Sequence, residues 1–219
     1  MVTHGAESAV RRALRAAAIL GAAAVVAVGL VSVVHDLAQP RVAANQHAQR
    51  LAQLTAVLGG VRYDNDPLSD VTLVRDRELL GTDEPLPVHR ARLGGAPAAL
   101  LVTAVAPDGY AGAIRLLVAI GADGRLLGVR VLAHRETPGL GDAIEERRSP
   151  WIRIFDGRSL ADPPAGRWQV RKDGGDFDQF TGATVTPRAV VSAVRNVLVY
   201  HERHREQLFS DPPVDAVAP

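Results

Sequence analysis

The chain has no cysteine at all in 219 residues. It therefore holds no thiolate-ligated iron–sulfur cluster, no thioether-linked haem, no disulfide and no cysteine–zinc site of its own. Aromatic residues are scarce, at 4%. An excess of charge is missing too. Lys and Arg number 25 against 24 Asp and Glu, a net charge of +1, so the basic footprint of a nucleic-acid binder is absent. There is no internal repeat, and no nucleophile elbow, P-loop or HExxH motif.

A long apolar run is present. Residues 16–34 contain no charged side chain and are dominated by Ala, Val, Leu and Ile. At helical rise this length just crosses a hydrocarbon core of about 30 Å. Arg11, Arg12 and Arg15 precede it, and His35 and Asp36 follow. The bias of positive charge puts residues 1–15 in the cytoplasm and everything after the run on the far side, which in a bacterium is the periplasm. A cleaved signal peptide is the competing reading. It is disfavoured by the length of the run and by the lack of a clear small-x-small site after Val34.

The remainder is expected to be an α+β domain over residues 59–207. Residues 35–58 form a juxtamembrane segment. Its Arg41–Leu58 stretch carries helical periodicity in Val42, Leu51, Leu54, Val57 and Leu58, and ends at Gly59-Gly60. Tyr63 to Pro67 is turn-rich, and residues 71–95 suggest short strands and loops. Ala98–Val105, Ile114–Ile120 and Leu126–Leu132 form an antiparallel meander, with Gly121-Ala-Asp-Gly124 as a hairpin loop. This is not the strand–helix alternation of a doubly wound fold. A short helix is expected over Asp142–Arg148. A loop-rich stretch, 149–175, holds both tryptophans, and a final amphipathic helix runs from about Pro187 to about Gln207 on Val190, Val191, Val194, Val197 and Leu198. Residues 208–219 form a tail, Pro-rich from Asp211 and expected to be disordered.

Two constellations are weak. Gly139-Leu-Gly141 would begin a dinucleotide fingerprint, but Ile144 stands where the third glycine belongs, and no βαβ unit surrounds it. His201 and His204 have a metal-like i, i+3 spacing with no supporting carboxylates, so a solvated helix face is expected there.

Thr181-Gly-Ala-Thr184 is the most informative stretch. It sets a hydroxyl just ahead of a helix start, with Thr186 expected as N-cap and Pro187 at the first helical position. A phosphate near Thr184 would meet free backbone N–H groups and the positive end of the helix dipole. Gly182 and Ala183 would let a planar group lie close to the backbone. A plain Ser/Thr-rich helix cap fits the same residues.

Asp178-Gln-Phe-Thr181-Gly-Ala-Thr184 resembles the flavinylation motif of the FMN-binding domain family, in which the last threonine carries FMN through a phosphodiester bond. The resemblance continues through His134-Arg-Glu-Thr-Pro-Gly-Leu-Gly141, Trp151, Lys172-Asp-Gly-Gly175, Tyr63 to Pro67 and the N-terminal apolar run. Over nearly the whole chain it is similar to the G subunits of the Rnf (Rsx) electron-transport complex. The C subunit of the sodium-pumping NADH:quinone reductase shares the motif but matches less well in length and around Tyr63.

The resemblance implies covalent FMN on Thr184, with Asp178, Thr181, Gly182 and Ala183 around the attachment point. Asp178, being anionic, would hold the turn or act during flavin transfer. Glu136, Thr137, Gly139, Leu140 and Gly141 would form the loop against the isoalloxazine ring, with Thr137 at its edge and Leu140 over a face. Because aromatics are few, the pocket would be lined mostly by aliphatic groups and backbone. Lys172 and Arg188 are either counter-charges for the phosphodiester or solvated surface cations. The implied partners are the other Rnf/Rsx subunits, membrane lipid, and a Mg²⁺-dependent flavin transferase that draws on FAD. The implied function is an inner-membrane electron carrier in a complex that couples ferredoxin/NAD electron transfer to ion movement, or reduces a redox sensor. A membrane-anchored sensor or scaffold without flavin is the alternative.

Overall fold

The computed structural model describes residues 45–212 and the isolated positions Gly21, Val28, Gly29, Ser32, His35 and Gln39. The chain divides into two units, Met1–Gln49 and Arg50–Pro219. In the first, the described positions are helical. Among the described residues no helix is long and apolar enough to cross a membrane, and the expected span over 16–34 lies mostly outside them. The tail beyond residue 212 lies outside them as well.

The second unit is built on one antiparallel sheet in sequence order: β1 (Val71–Asp76), β2 (Thr82–Leu93), β3 (Ala96–Ala106), β4 (Ile114–Gly121) and β5 (Leu126–Ala133). The meander expected from 98 to 132 is present with nearly the expected bounds. The 71–95 stretch is more regular than its sequence suggests: two strands flank a one-turn helix, α1 (Arg77–Leu80). Asp76 Oδ1 accepts from the Leu79 N–H at 2.8 Å at the start of that helix. Prolines 85 and 87 mask the strand in the sequence. They are tolerated because the pairing of β2 with β3 begins only at Val88, so both prolines fall where β2 has no partner on that side.

Both sheet faces are covered, which explains the continuous apolar run of β3. On one face Leu100, Val102, Leu116 and Val118 pack with Val190, Val194, Val197 and Leu198 of the long helix α2 (Val185–Ser210). On the other face Leu101, Ala99, Leu117 and Ala119 meet Val57 and Leu58. Neighbouring residues alternate between these clusters, as strand geometry requires. The segment before Val57 is helical from 45 to 55 and then turns, shorter than the Arg41–Leu58 expectation, whose residues 41–44 lie outside the described residues.

The far end of α2 is held by charge. Arg90 is fully buried on β2; its Nε lies 2.6 Å from Asp70 Oδ1 and its Nη1 donates to the Asp211 carbonyl at 2.5 Å. Arg92 donates to Asp70 Oδ2 at 2.7 Å and to the Phe209 carbonyl at 2.8 Å. These guanidinium groups satisfy carbonyls that a helix C-terminus leaves unpaired. Asn65 supports the clamp by bonding the Arg90 carbonyl and the Arg92 N–H. The Tyr63–Pro67 turn thus contributes an anchor for β2.

Three expectations change at the helices. Asp142–Arg148 is not an α-helix; a 3₁₀ turn, Gly141–Ile144, stands there. The last helix runs past Gln207 to Ser210. His201 is not solvated: it is 4% exposed, and burial together with the nearby Arg205 charge pushes its imidazole down to about 4. His204 stacks on Tyr200 with ring centroids 4.3 Å apart. Among the described residues no cluster of His and carboxylates could hold a metal ion.

Candidate functional site

A cleft of about 320 Å³ lies at the start of α2. Three short segments wall it: Tyr110 after β3, Glu136 to Gly141 after β5, and Gly182 to Thr186 at the helix start. Residues some 75 positions apart in sequence are thus gathered at one helix N-terminus, where the first backbone N–H groups have no intrahelical acceptor.

The helix begins two residues earlier than its sequence suggests. Thr184 is the N-cap, with φ −82° and ψ −30°, and its side chain makes no capping hydrogen bond. Pro187 falls in the first turn at the third position, where a missing N–H costs nothing. Thr186 is inside the helix and serves another purpose: its hydroxyl donates to Glu136 Oε2 at 2.5 Å, with both residues buried. The burial of Thr186 against Glu136 overrides its capping preference.

Glu136 is 4% exposed. Its Oε1 accepts from the Ala111 N–H at 3.1 Å, and its own N–H donates to His134 Nδ1 at 3.0 Å. His134 therefore carries its proton on Nε2, which donates to Glu145 Oε1 at 2.7 Å. Glu145 also accepts from Arg147, and hydrogen bonds from Arg147 first and His134 second hold its carboxyl down to about 2. Thr137 organises the rest of the loop. Its carbonyl accepts from Leu140 and Gly141, each at 3.1 Å, while Asp142 Oδ1 accepts from the Gly139 N–H at 2.8 Å. Gly141 is there for closeness: a Cβ at that position would sit 2.7 Å from Glu136 Oε2. Leu140 is left 49% exposed at the cleft, and Tyr110 is 72% exposed.

The motif segment is fastened from below. Asp178 gives its carbonyl to the Trp151 indole at 2.7 Å, and Phe180 packs on Trp151 with centroids 5.1 Å apart. Phe155, Trp168 and Phe177 continue the cluster. Both tryptophans and three of the four phenylalanines therefore lie under this stretch. Ala183 N–H closes a turn onto the Phe180 carbonyl at 3.3 Å, with Gly182 at φ +84°, a position that a side chain would strain.

Of the residues singled out in the sequence, Glu136, Thr137, Leu140, Gly141, Gly182, Ala183 and Thr184 line the cleft. Gly139 does not line it, and its N–H donates to Asp142 Oδ1 within the loop. Asp178, Thr181 and Lys172 do not line it. Asp178 lies 3.1 Å from Arg171, Thr181 is exposed on the turn, and Lys172 bonds Gln179 Oε1 through its backbone. Arg188 is committed to Asp173 by two bonds of 2.6 and 2.8 Å, which lower the Asp173 carboxyl. Tyr110 and Thr186 are cleft residues that the sequence does not single out as such. Tyr110 follows a Pro-Asp-Gly turn signal that points only to a loop. The cleft is less aliphatic than the scarcity of aromatics suggests: beside Leu140, Ala183 and Val185 stand three threonines, Tyr110 and the carboxylate of Glu136.

The model of the FMN-binding domain family matches residues 109–199, the segment that contains every cleft residue, and that of the RnfG N-terminal region matches residues 7–57. Among curated relatives, the G subunit of the ion-translocating oxidoreductase complex of Pseudomonas aeruginosa is 52% identical over 205 residues, covering 93% of this chain and 96% of that protein. The protein of the same name from Vibrio atlanticus is 47% identical over 184 residues, 84% of this chain and 88% of its own length. That from Shewanella loihica is 43% identical over 202 residues, 92% and 95% respectively.

Proposed function

The chain belongs to the family of G subunits of ion-translocating oxidoreductase complexes and has an FMN-binding domain, and from that premise we propose that FMN is joined covalently through its phosphate to Thr184. The observation that carries this is the uncommitted hydroxyl of Thr184. It stands at an N-cap, where a threonine oxygen ordinarily serves the helix, yet it makes no capping bond. It opens instead on the cleft beside free helix N–H groups, which suit a phosphate.

The residues present fit the cofactor. Leu140 and Tyr110 offer apolar surface for a planar ring, and Thr137 and the loop amides offer polar contacts at its edge. Gly182 and Ala183 keep side-chain bulk away from the phosphate. The bound flavin supplies reversible electron acceptance and donation, while the protein sets its position and excludes water. Covalent attachment keeps the carrier from diffusing away. A separate Mg²⁺-dependent flavin transferase, drawing on FAD, makes the attachment; Asp178, Thr181 and Lys172 belong to the surface it meets.

In this reading residues 16–34 anchor the protein in the bacterial inner membrane and in contact with lipid. Residues 1–15 are cytoplasmic and the FMN-binding domain is periplasmic. The chain catalyses no bond-making step alone. It relays electrons for an Rnf-type assembly that couples ferredoxin/NAD electron transfer to ion movement, or runs to reduce a redox sensor.

The test is production of the full chain with its flavin transferase, followed by intact mass and ultraviolet fluorescence of the denatured band. The wild type is expected to carry one FMN and Thr184→Ala none, with Thr181→Ala only reduced. Flavin persisting on Thr184→Ala would move the attachment elsewhere. An alkaline phosphatase reporter after Pro219 is expected to be active; an inactive one, beside an active cytoplasmic control, reverses the topology.

A further inference from the structure

Each of the three walls of the cleft meets the same buried side chain. The turn bearing Tyr110 is held by the Ala111 N–H on Glu136 Oε1 at 3.1 Å. The start of α2 is held by the Thr186 hydroxyl on Glu136 Oε2 at 2.5 Å. The third wall is the loop that begins with Glu136 itself. The packing around the carboxylate is tight on two sides. A Cβ at Gly109 would stand 2.9 Å from Oε1, and one at Gly141 2.7 Å from Oε2. The backbone of Glu136 is fixed by His134, which is fixed in turn by Glu145.

We propose that Glu136 is a positioning residue, whose carboxylate clamps the Tyr110 turn, the 136–141 loop and the N-terminus of α2 into one register, and that it sets the flavin environment through them. Burying a carboxylate costs more than burying an apolar group of the same size. An apolar residue here would leave the Ala111 N–H and the Thr186 hydroxyl without this acceptor, and the polar link among the three segments would be lost. Glu136 lines the cleft, but each of its carboxylate oxygens already accepts from a protein donor. This differs from the ring-contact role that the loop as a whole suggests. Thr184, two residues before Thr186 on a helix whose start is pinned by the clamp, takes its orientation from the same bond.

The proposal rests on the flavin reading only for its second readout. The full chain is produced without and with the flavin transferase, as wild type, Glu136→Ala, Glu136→Gln and Thr186→Val. Glutamine keeps an acceptor for Ala111 and can donate to the Thr186 oxygen, so it preserves the clamp with its direction reversed. In the flavin-free chain, hydrogen exchange at the Ala111 amide is expected to quicken roughly tenfold in Glu136→Ala and to stay near wild type in Glu136→Gln. In the loaded chain, Glu136→Ala is expected to lower flavin fluorescence anisotropy and displace the visible absorption band, and Glu136→Gln to restore both. Unchanged exchange and unchanged spectra in Glu136→Ala overturn the proposal. So does a reduction potential that moves equally in Gln and Ala variants while exchange is unaffected, because that marks direct contact with the ring. Should Glu136→Ala fail to fold, Thr186→Val removes one donor, keeps the carboxylate and decides on the same readouts. A wild-type chain that takes up no flavin defeats the flavin reading, while the exchange measurement still judges the clamp.

Discussion

The indole N–H of Trp151 donates to the backbone carbonyl of Asp178 at 2.7 Å. That bond ties the 3₁₀ turn Pro150–Phe155 to the segment leading into Thr184. Trp151 is buried and packs on Phe155 and Phe180, so the bond is made at the edge of the aromatic cluster. Trp151→Phe, which keeps much of the ring packing, is expected to cost about 1–3 kcal/mol of stability in urea unfolding. It should also reduce flavin loading in intact mass, because the motif segment is no longer pinned. Full loading at unchanged stability would show that the bond plays no part in presenting Thr184.

Gly141 cannot accept a methyl group without displacing Glu136 or Thr186, since the added carbon would meet their oxygens at 2.7 and 3.1 Å. Gly141→Ala is expected to lower stability by about 1–3 kcal/mol, the usual range for overpacking. Gly166, where nothing lies within 4 Å of the added carbon, is the matched control. Gly166→Ala should change thermal unfolding far less.

Leu140 is about half exposed and lines the cleft. Beside a bound ring it would exclude water from one face and disfavour the charged reduced flavin. Leu140→Asn is expected to raise the reduction potential in a spectroelectrochemical titration while leaving covalent flavin near the wild-type level. An unchanged potential would place Leu140 away from the ring.

His201 gives the protein a defined acid response. Its folded value, about 4, lies below the ordinary 6.5, so the unfolded chain binds the extra proton more readily. The stabilisation is therefore complete above about pH 6.5 and is lost as pH falls towards 4, for a total of order 2–3 kcal/mol. Arg205, Glu202 and Asp123 line the same cavity and shape the field around the ring. His201→Leu should flatten the fall in urea midpoint between pH 7 and 5. An equally steep fall in that variant would assign the acid response to other groups.

The sequence alone determined the parts of this protein whose physics is local. Continuous apolar runs and turn residues specify the strands from Ala98 to Leu132, because a strand buried on both faces must be apolar along its length. Glycine and hydroxyl residues mark Thr181–Thr184 as a turn before a helix start, because open backbone and a capping oxygen are local signals. The loop from Glu136 to Gly141 is marked by its resemblance to the FMN-binding domain family. Even where the helix begins, however, the sequence misleads by two residues. The hydroxyl that looks like the cap, Thr186, is claimed by Glu136, fifty positions away. Tertiary structure alone decided which residues share the cleft, and so brought Tyr110 in and left Lys172 and Asp178 out. It also paired Arg188 with Asp173, buried His201, and gathered most of the scarce aromatics beneath one short segment. These are contacts between segments far apart in the chain, fixed by shape and by the need of buried polar groups for partners, and a periodicity read along one segment carries no information about them.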